Sequence, residues 1–276
     1  MSKTLSDYSQ NNGIQDIRHW LVHKENGPVL ATAVHAGHQI RDELKPFLHA
    51  DEHKLHRDED PMTGVWAAAG DNIFVNYRSR FEVDLNRSRE LALATEPEHT
   101  WGQKIWHKSP PSEMIERSLR QHDFFYAMMK IWLEDMIRQH GKILVLDIHS
   151  YNHRRDGEDA PPAPQAENPD IDLGLTTLDH DQFGPVAEAM TEGLSALPCG
   201  NRQLDVRSNV RYPDGGYWPE WVFANFGQDV CTISLEYKKF YMDEWTGQCS
   251  LPVANDLKAG LNHALKQSRK VLSQCR

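Results

Sequence analysis

Histidine and carboxylate side chains at three points of the chain could carry chemistry. His35 follows the apolar run 28–34, Asp147 and His149 close the run that begins at Lys142, and Glu236 follows the run 230–235. Neutral imidazoles and a carboxylate are what a zinc hydrolase uses to hold its ion while one coordination position stays open to water. A further carboxylate then takes the proton of that water. Asp147 stands two residues before His149, so on an extended strand both project to one side, and the carboxylate is placed to orient the imidazole. One strand-end histidine is more often a satisfied core residue than a ligand. Two of them with a strand-end glutamate bring the two readings level, and spacing alone goes no further.

The elements that must position these residues can be read from periodicity. Besides the runs named above, Asn72 to Asn76 reads as a strand and Phe81 to Leu85 as a short extended piece. Ile115, Leu119, Phe125, Met129, Trp132, Met136 and Ile137 fall at helical spacing and predict a long helix over about 112–140. Ser112 is its expected cap, Glu113 and Glu116 suit its positive end, and Gly141 its close. The almost wholly apolar stretch 142–147 predicts a strand in the middle of a sheet covered on both faces. Residues 152–172, rich in Pro and Asp, read as a surface loop, and further helices are expected over 181–196 and 251–273. Strands alternating with helices predict a single α/β domain over 1–276 with a largely parallel or mixed sheet. Such sheets bind ligands beyond the carboxyl ends of their strands. Trp66, Trp132 and Phe125 fit core packing.

Bulk properties narrow the functional classes. The chain has 276 residues, 39% hydrophobic and 25% charged, enough for a sizeable core. A formal net charge of -10 argues against nucleic acid as a partner, because phosphate is bound by clustered Lys and Arg. It leaves room for a small acidic substrate, since a few buried arginines make a local positive pocket. The longest apolar runs, such as 143–146, fall far short of the ~20 residues of a membrane span. Residues 1–25 lack the basic segment and apolar stretch of a secretory leader. The four cysteines, Cys199, Cys231, Cys249 and Cys275, form no C-x-x-C pair, which points to a reducing cytoplasm. A Gly-x-Ser-x-Gly elbow is absent, which leaves a serine hydrolase without support.

Several stretches resemble known zinc hydrolases. Asp147-Ile-His-Ser-Tyr151 is similar to a zinc-ligand motif of the zinc carboxypeptidases, Asn86-Arg87 to their substrate-carboxylate-binding pair, and Leu235-Glu236 to their strand-end catalytic glutamate. A closer resemblance is to the N-formylglutamate amidohydrolase family, a branch of the same fold. His35-Ala-Gly37, Ser79-Arg-Phe-Glu-Val-Asp-Leu-Asn-Arg87, Asp147-Ile-His-Ser150, Gly215-Gly-Tyr217 and Glu236-Tyr-Lys-Lys-Phe-Tyr-Met-Asp-Glu244 match its motifs in order over about 30–244.

The resemblance implies a three-layer α/β/α fold of the zinc-carboxypeptidase (phosphorylase/hydrolase-like) kind and a Zn2+ ion held by His35, Asp60 and His149. Asp60 comes from the run Arg57-Asp-Glu-Asp60, which resembles an acidic motif of the family. Glu59 and then His38 are the alternatives, because the His-x-x-Glu of the carboxypeptidases is here His35-Ala-Gly-His38. Glu236 would be the general base and Arg87 a bidentate clamp on a substrate carboxylate, a geometry Lys cannot match. Asn86 would orient that carboxylate. Arg80 would bind a second carboxylate or polarise the scissile carbonyl, or else make a structural ion pair. Gly215 and Gly216 would form a turn of positive φ, with Gly216 letting backbone approach the ligand. Tyr241 and Asp243 fit a structural role as well as a functional one. The activity implied is hydrolysis of a C–N amide bond in a small acidic N-acyl amino acid such as N-formyl-L-glutamate. A zinc carboxypeptidase or peptide amidase, and a non-catalytic metal-binding module on the same scaffold, are the other readings. Residues 159–169 and 217–221 look unlike well-known members of the family.

Overall fold

The run that begins at Ile143 is buried at every residue through Tyr151, a pattern that requires a layer of helices on each face of its sheet. The computed structural model describes residues 19–275, among which seven strands share one sheet. They are β1 (Trp20–His23), β2 (Val29–Ala33), β3 (Asn72–Asn76), β4 (Ile143–Tyr151), β5 (Ile171–Gly174), β6 (Val206–Ser208) and β7 (Val230–Lys238). Their spatial order is β1-β3-β2-β4-β7-β5-β6. The four central strands run parallel, while β1 lies antiparallel to β3 and β5 antiparallel to β7. The sheet is therefore mixed and largely parallel. Most of the segment read for a secretory leader, 1–25, lies outside the described residues. No helix among them is long and apolar enough to cross a membrane.

Among the described residues six α-helices accompany the sheet: α1 (Glu52–Asp58), α2 (Thr63–Ala67), α3 (Ser112–His140), α4 (His180–Ala196), α5 (Tyr217–Phe226) and α6 (Leu251–Leu272). The two-residue period of the strands sorts their side chains between two cores. Ala31, Leu144, Leu146, Ile233 and Leu235 pack against Phe183 and Met190 of α4 and Leu257 and Leu261 of α6. Leu30, Phe74, Val145 and Val230 pack against Phe125, Met129 and Trp132 of α3 and Trp218 and Val222 of α5. A smaller cluster of Leu44, Leu55, Phe81, Leu93, Ile105 and Trp106 supports the long connections on either side of β3. Trp66, Trp132 and Phe125 are fully packed, as expected.

Three local expectations need correction. Phe81 to Leu85 is not extended: Ser79 O accepts from the amides of Glu82 and Val83, and Ser79 Oγ accepts from Phe81 N, so the segment coils. Ser112 is the first helical residue and Pro111 stands at the cap, because proline's fixed φ suits a helix entrance without any side-chain cap. The polar segment after β4 ends early, since Ile171–Gly174 forms β5 against the free edge of β7. Gly141, with φ 75, closes α3 as expected.

Phe125 meets Trp20, Phe74, Tyr126 and Trp218 with ring centroids between 4.9 and 6.4 Å. Phe125→Ala should therefore cost about 3–5 kcal/mol in urea unfolding while leaving divalent-cation stoichiometry unchanged.

Candidate active site

Strand register builds the site. Thr32 pairs with Asp147 across β2 and β4, His149 with Glu236 across β4 and β7, and Glu236 with Asp172 across β7 and β5. Directly opposed residues share a face, so a row of polar groups crosses the sheet near the carboxyl ends of β2, β4 and β7 on the face covered by α3 and α5. His35, just past β2, joins it. Asp60 arrives from the loop after α1, where its backbone N–H donates to His35 O at 3.0 Å.

His35 Nδ1, His149 Nδ1 and Asp60 Oδ2 converge. The two nitrogens are 3.2 Å apart, and the carboxylate oxygen is 2.9 Å from His149 Nδ1 and 3.4 Å from His35 Nδ1. All three residues are 2% exposed. The opposite ring nitrogen of each histidine faces another carboxylate: His35 Nε2 lies 2.7 Å from Asp84 Oδ1, and His149 Nε2 lies 2.6 Å from Asp147 Oδ2. A carboxylate only accepts, so each Nε2 donates to its outer carboxylate, and a ring that is neutral presents a lone pair at Nδ1. His149 Nδ1 shares a proton with Asp60 Oδ2 at 2.9 Å, and a cation in place of that proton would meet two imidazole lone pairs and one carboxylate oxygen. Ligands of a tetrahedral Zn2+ stand roughly 3.3 Å apart, which matches these separations. The donor set fits a divalent ion.

The supporting carboxylates are themselves held. Asp147 Oδ1 accepts from Thr32 Oγ1 at 2.6 Å, and Trp218 Nε1 donates to that hydroxyl at 3.2 Å. Burial disfavours a charged His149, yet Asp147 and Asp60 hold its pKa well above the ordinary imidazole value. Burial likewise opposes ionisation of Asp60, but His149 and His35 keep it ionised, far below the usual carboxylate range. Burial pushes Glu236 up to about 8; His149 opposes the shift, while Asp60, Asp147 and Asp172 add to it. Glu236 is thus a carboxyl group able to hold or release a proton near neutrality.

Asp84 lies within the arginine-rich motif, and only the fold reveals its place as a hub. Its Oδ1 takes His35 Nε2 and the amide of Asn86. Its Oδ2 takes Arg80 Nε at 3.1 Å and Nη2 at 2.9 Å, with Arg87 Nε 3.3 Å away. Burial would raise the Asp84 carboxyl, but Arg80, His35 and Arg87 together keep it well below its usual value. Arg87 Nη1 also donates to His99 O, and Trp101 covers the guanidinium carbons of Arg80 and Arg87 at 4.9 and 5.3 Å from its ring centre. Between them lies a cavity of about 10 Å³, room for one water at most.

Asn86 ties down the glycine turn: its Nδ2 donates to Gly215 O at 2.7 Å, and its Oδ1 accepts from Trp218 N at 2.8 Å. Gly216, at φ 102, passes so close that a Cβ would meet Asn86 Nδ2 at 2.6 Å. Lys239, which drew no attention in the sequence, is buried and donates to Arg57 O, Glu59 O and Asn152 Oδ1 at 2.7, 2.7 and 3.0 Å. Tyr241 Oη donates to Pro61 O. These two side chains grip the peptides on either side of Asp60. Glu59 and His38 point away from the trio and bond each other. Asp243 accepts from Arg154 and from the amides of Trp245 and Thr246.

Residues 27–242 match the family model described as N-formylglutamate amidohydrolase. The chain belongs to that family. It is an amidohydrolase by membership, since the match covers most of its length. Among solved structures, it is similar to an N-formylglutamate amidohydrolase from Ralstonia eutropha JMP134, with 16% identity over 92% of this chain and 100% of that one, at a TM-score of 0.66. It is also similar to the gene product Atu2144 from Agrobacterium tumefaciens, with 18% identity over 93% and 95% of the two chains, at a TM-score of 0.59. At these identities the likeness establishes the shared fold. No curated protein gives a significant match.

Outer partners fix the tautomer and aim of metal-binding imidazoles, and their loss typically costs 10–100-fold in metal affinity. Asp147→Asn should weaken divalent-cation binding by about that factor, measured by competition with a fluorescent chelator. Lys239→Met, which frees the loop carrying Asp60, should do the same; unchanged affinity in both would remove the outer partners from the account.

Proposed function

We propose that the chain is a zinc-dependent hydrolase of an acidic N-acyl amino acid, with N-formyl-L-glutamate the first substrate to assay. The observation that carries this reading is a His-Asp-His donor set lying beside a buried glutamate in direct strand register and joined through Asp84 to two arginines. His35, Asp60 and His149 would hold the ion. When bound, Zn2+ supplies Lewis-acid polarisation of the amide carbonyl and acidifies a water molecule.

The remaining work falls to the chain's own side chains. Glu236 takes a proton from the attacking water on a carboxylate oxygen and returns it to the amide nitrogen as the amine leaves. Its raised pKa suits both halves of that transfer. The free donors of Arg87, and of Arg80 beside it, meet a substrate carboxylate; the planar fork of Arg gives this contact its direction. The cavity in front of them is small, so binding requires His99 O and the Trp101 ring to give way. Asn86 acts indirectly, by holding the glycine turn at the margin of the site.

Purified protein should release formate from N-formyl-L-glutamate, and chelation should abolish the release until Zn2+ is restored. Glu236→Gln should retain the metal and lose turnover by at least about 100-fold, within the range for a general base. Arg87→Lys should raise KM for acidic substrates far more than for neutral N-acyl amino acids. Activity confined to short peptides, with none on N-acyl amino acids, would replace the proposed substrate by a peptide.

A further inference from the structure

A second group of donors lies one residue from the first. Glu59 ends α1 in extended backbone, φ -85° and ψ 174°, and successive side chains of extended backbone point to opposite sides. Asp60 turns inward to His35 and His149, so Glu59 turns the other way. There its Oε2 lies 2.5 Å from His38 Nδ1 and 3.6 Å from His56 Nδ1. The three ligand atoms all fall within 4.8 Å of one another. Glu59 is 1% exposed, whereas the side chains of His38 and His56 are each 39% exposed. Its other oxygen, Oε1, accepts from Ser79 Oγ at 2.5 Å. That bond, with Lys239 on the Glu59 carbonyl, fixes the carboxylate and aims Oε2 at the mouth between the imidazoles.

We infer that His38, His56 and Glu59 form a second divalent-cation site, separate from the His35–Asp60–His149 trio and opening to solvent. The chemistry of the set is that of zinc hydrolases: two imidazole nitrogens and one carboxylate oxygen, with remaining positions left to water. A proton shared between His38 and Glu59 now holds them closer than two ligands of one ion, and a cation takes its place with a modest outward shift of two half-exposed rings. The natural occupant is Zn2+, or Co2+ and Ni2+ by the same preference of imidazole. This site is the weaker one. Asp84 and Asp147 brace the inner histidines, while among the described residues neither His38 Nε2 nor His56 Nε2 has a carboxylate partner, a difference worth about 10- to 100-fold in affinity. The ion binds after the inner site fills, and through Glu59 it pulls on the peptide that carries Asp60. Excess zinc thus acts on a loop that holds the inner site.

The test is a metal titration of the chelator-stripped full chain with Zn2+ and Co2+, read by equilibrium dialysis with elemental analysis. Wild type should take up a tight equivalent and then a second, about 10- to 100-fold weaker. His56→Ala should lose the weak equivalent and keep the tight one. His149→Ala should do the reverse, so the outer site is judged even if the inner reading fails. His53→Ala, which alters a neighbouring histidine outside the cluster, should keep both, and circular dichroism of each variant checks folding. Saturation of wild type at one equivalent that His56→Ala keeps and His149→Ala loses, or a second equivalent that survives in both His56→Ala and His38→Ala, would overturn the proposal.

Discussion

Asp84 is a buried carboxylate shared by one imidazole and two guanidinium groups, and the site is organised around the charge it carries. With Asp60, Asp147 and Glu236 it places four carboxyl groups, none more than 7% exposed, around two histidines. Such a density of negative charge away from water is tolerated only where positive charge and hydrogen bonds are brought to it. Arg80 and Arg87 answer on one side of Asp84. On the other side the two imidazoles turn Nδ1 toward Asp60, where a cation can take the place of the proton that His149 shares with it. The raised His149 and the depressed Asp60 are two expressions of the same requirement.

The same hub links binding to chemistry. His35 touches Asp84 through Nε2, so the carboxylate that orients this imidazole also anchors Arg80 and Arg87, the pair proposed to receive a substrate anion. The rigidity behind this comes from several directions. The hydroxyl of Tyr126 and the ring of His122, both on α3, bond the backbone of Leu85 and Arg87. Trp218 of α5 reaches Thr32 and, through it, Asp147. The loop bearing Asp60 is gripped by Lys239 and Tyr241, which directly follow β7. Glu236 and the grip on Asp60 thus sit on one short stretch of chain. That gives the motif from Glu236 to Glu244 a physical meaning: the proposed base, the loop anchors, and in Glu244 an acceptor for the amides of His153 and Arg154.

Much of this was legible in the sequence because it follows from local rules. An apolar run that ends in an ionisable residue marks a buried strand and its end, so His35, Asp147, His149 and Glu236 stand out in the sequence. Helical spacing over 112–140 and the glycine pair at 215–216 depend only on neighbours a few residues away, and the structure has a helix and a positive-φ turn there. The family resemblance rests on motifs of the same local kind. Three-dimensional placement was another matter. No local rule separates Asp60 from Glu59, since both are acidic residues of one loop. The extended backbone at the end of α1 turns one inward and the other outward. Likewise the sequence offers Asn86 as a substrate contact, and only the fold shows that its amide also holds Gly215 and Trp218, 129 and 132 residues away in the chain. Lys239 and Asp84 give no signal because Glu59 and His35, the groups that make them matter, lie 180 and 49 residues away in the chain. Spacing along the chain sets which face a side chain takes, but the tertiary fold alone decides what that face meets. Charge, hydrogen bonding and metal affinity depend on distance in space.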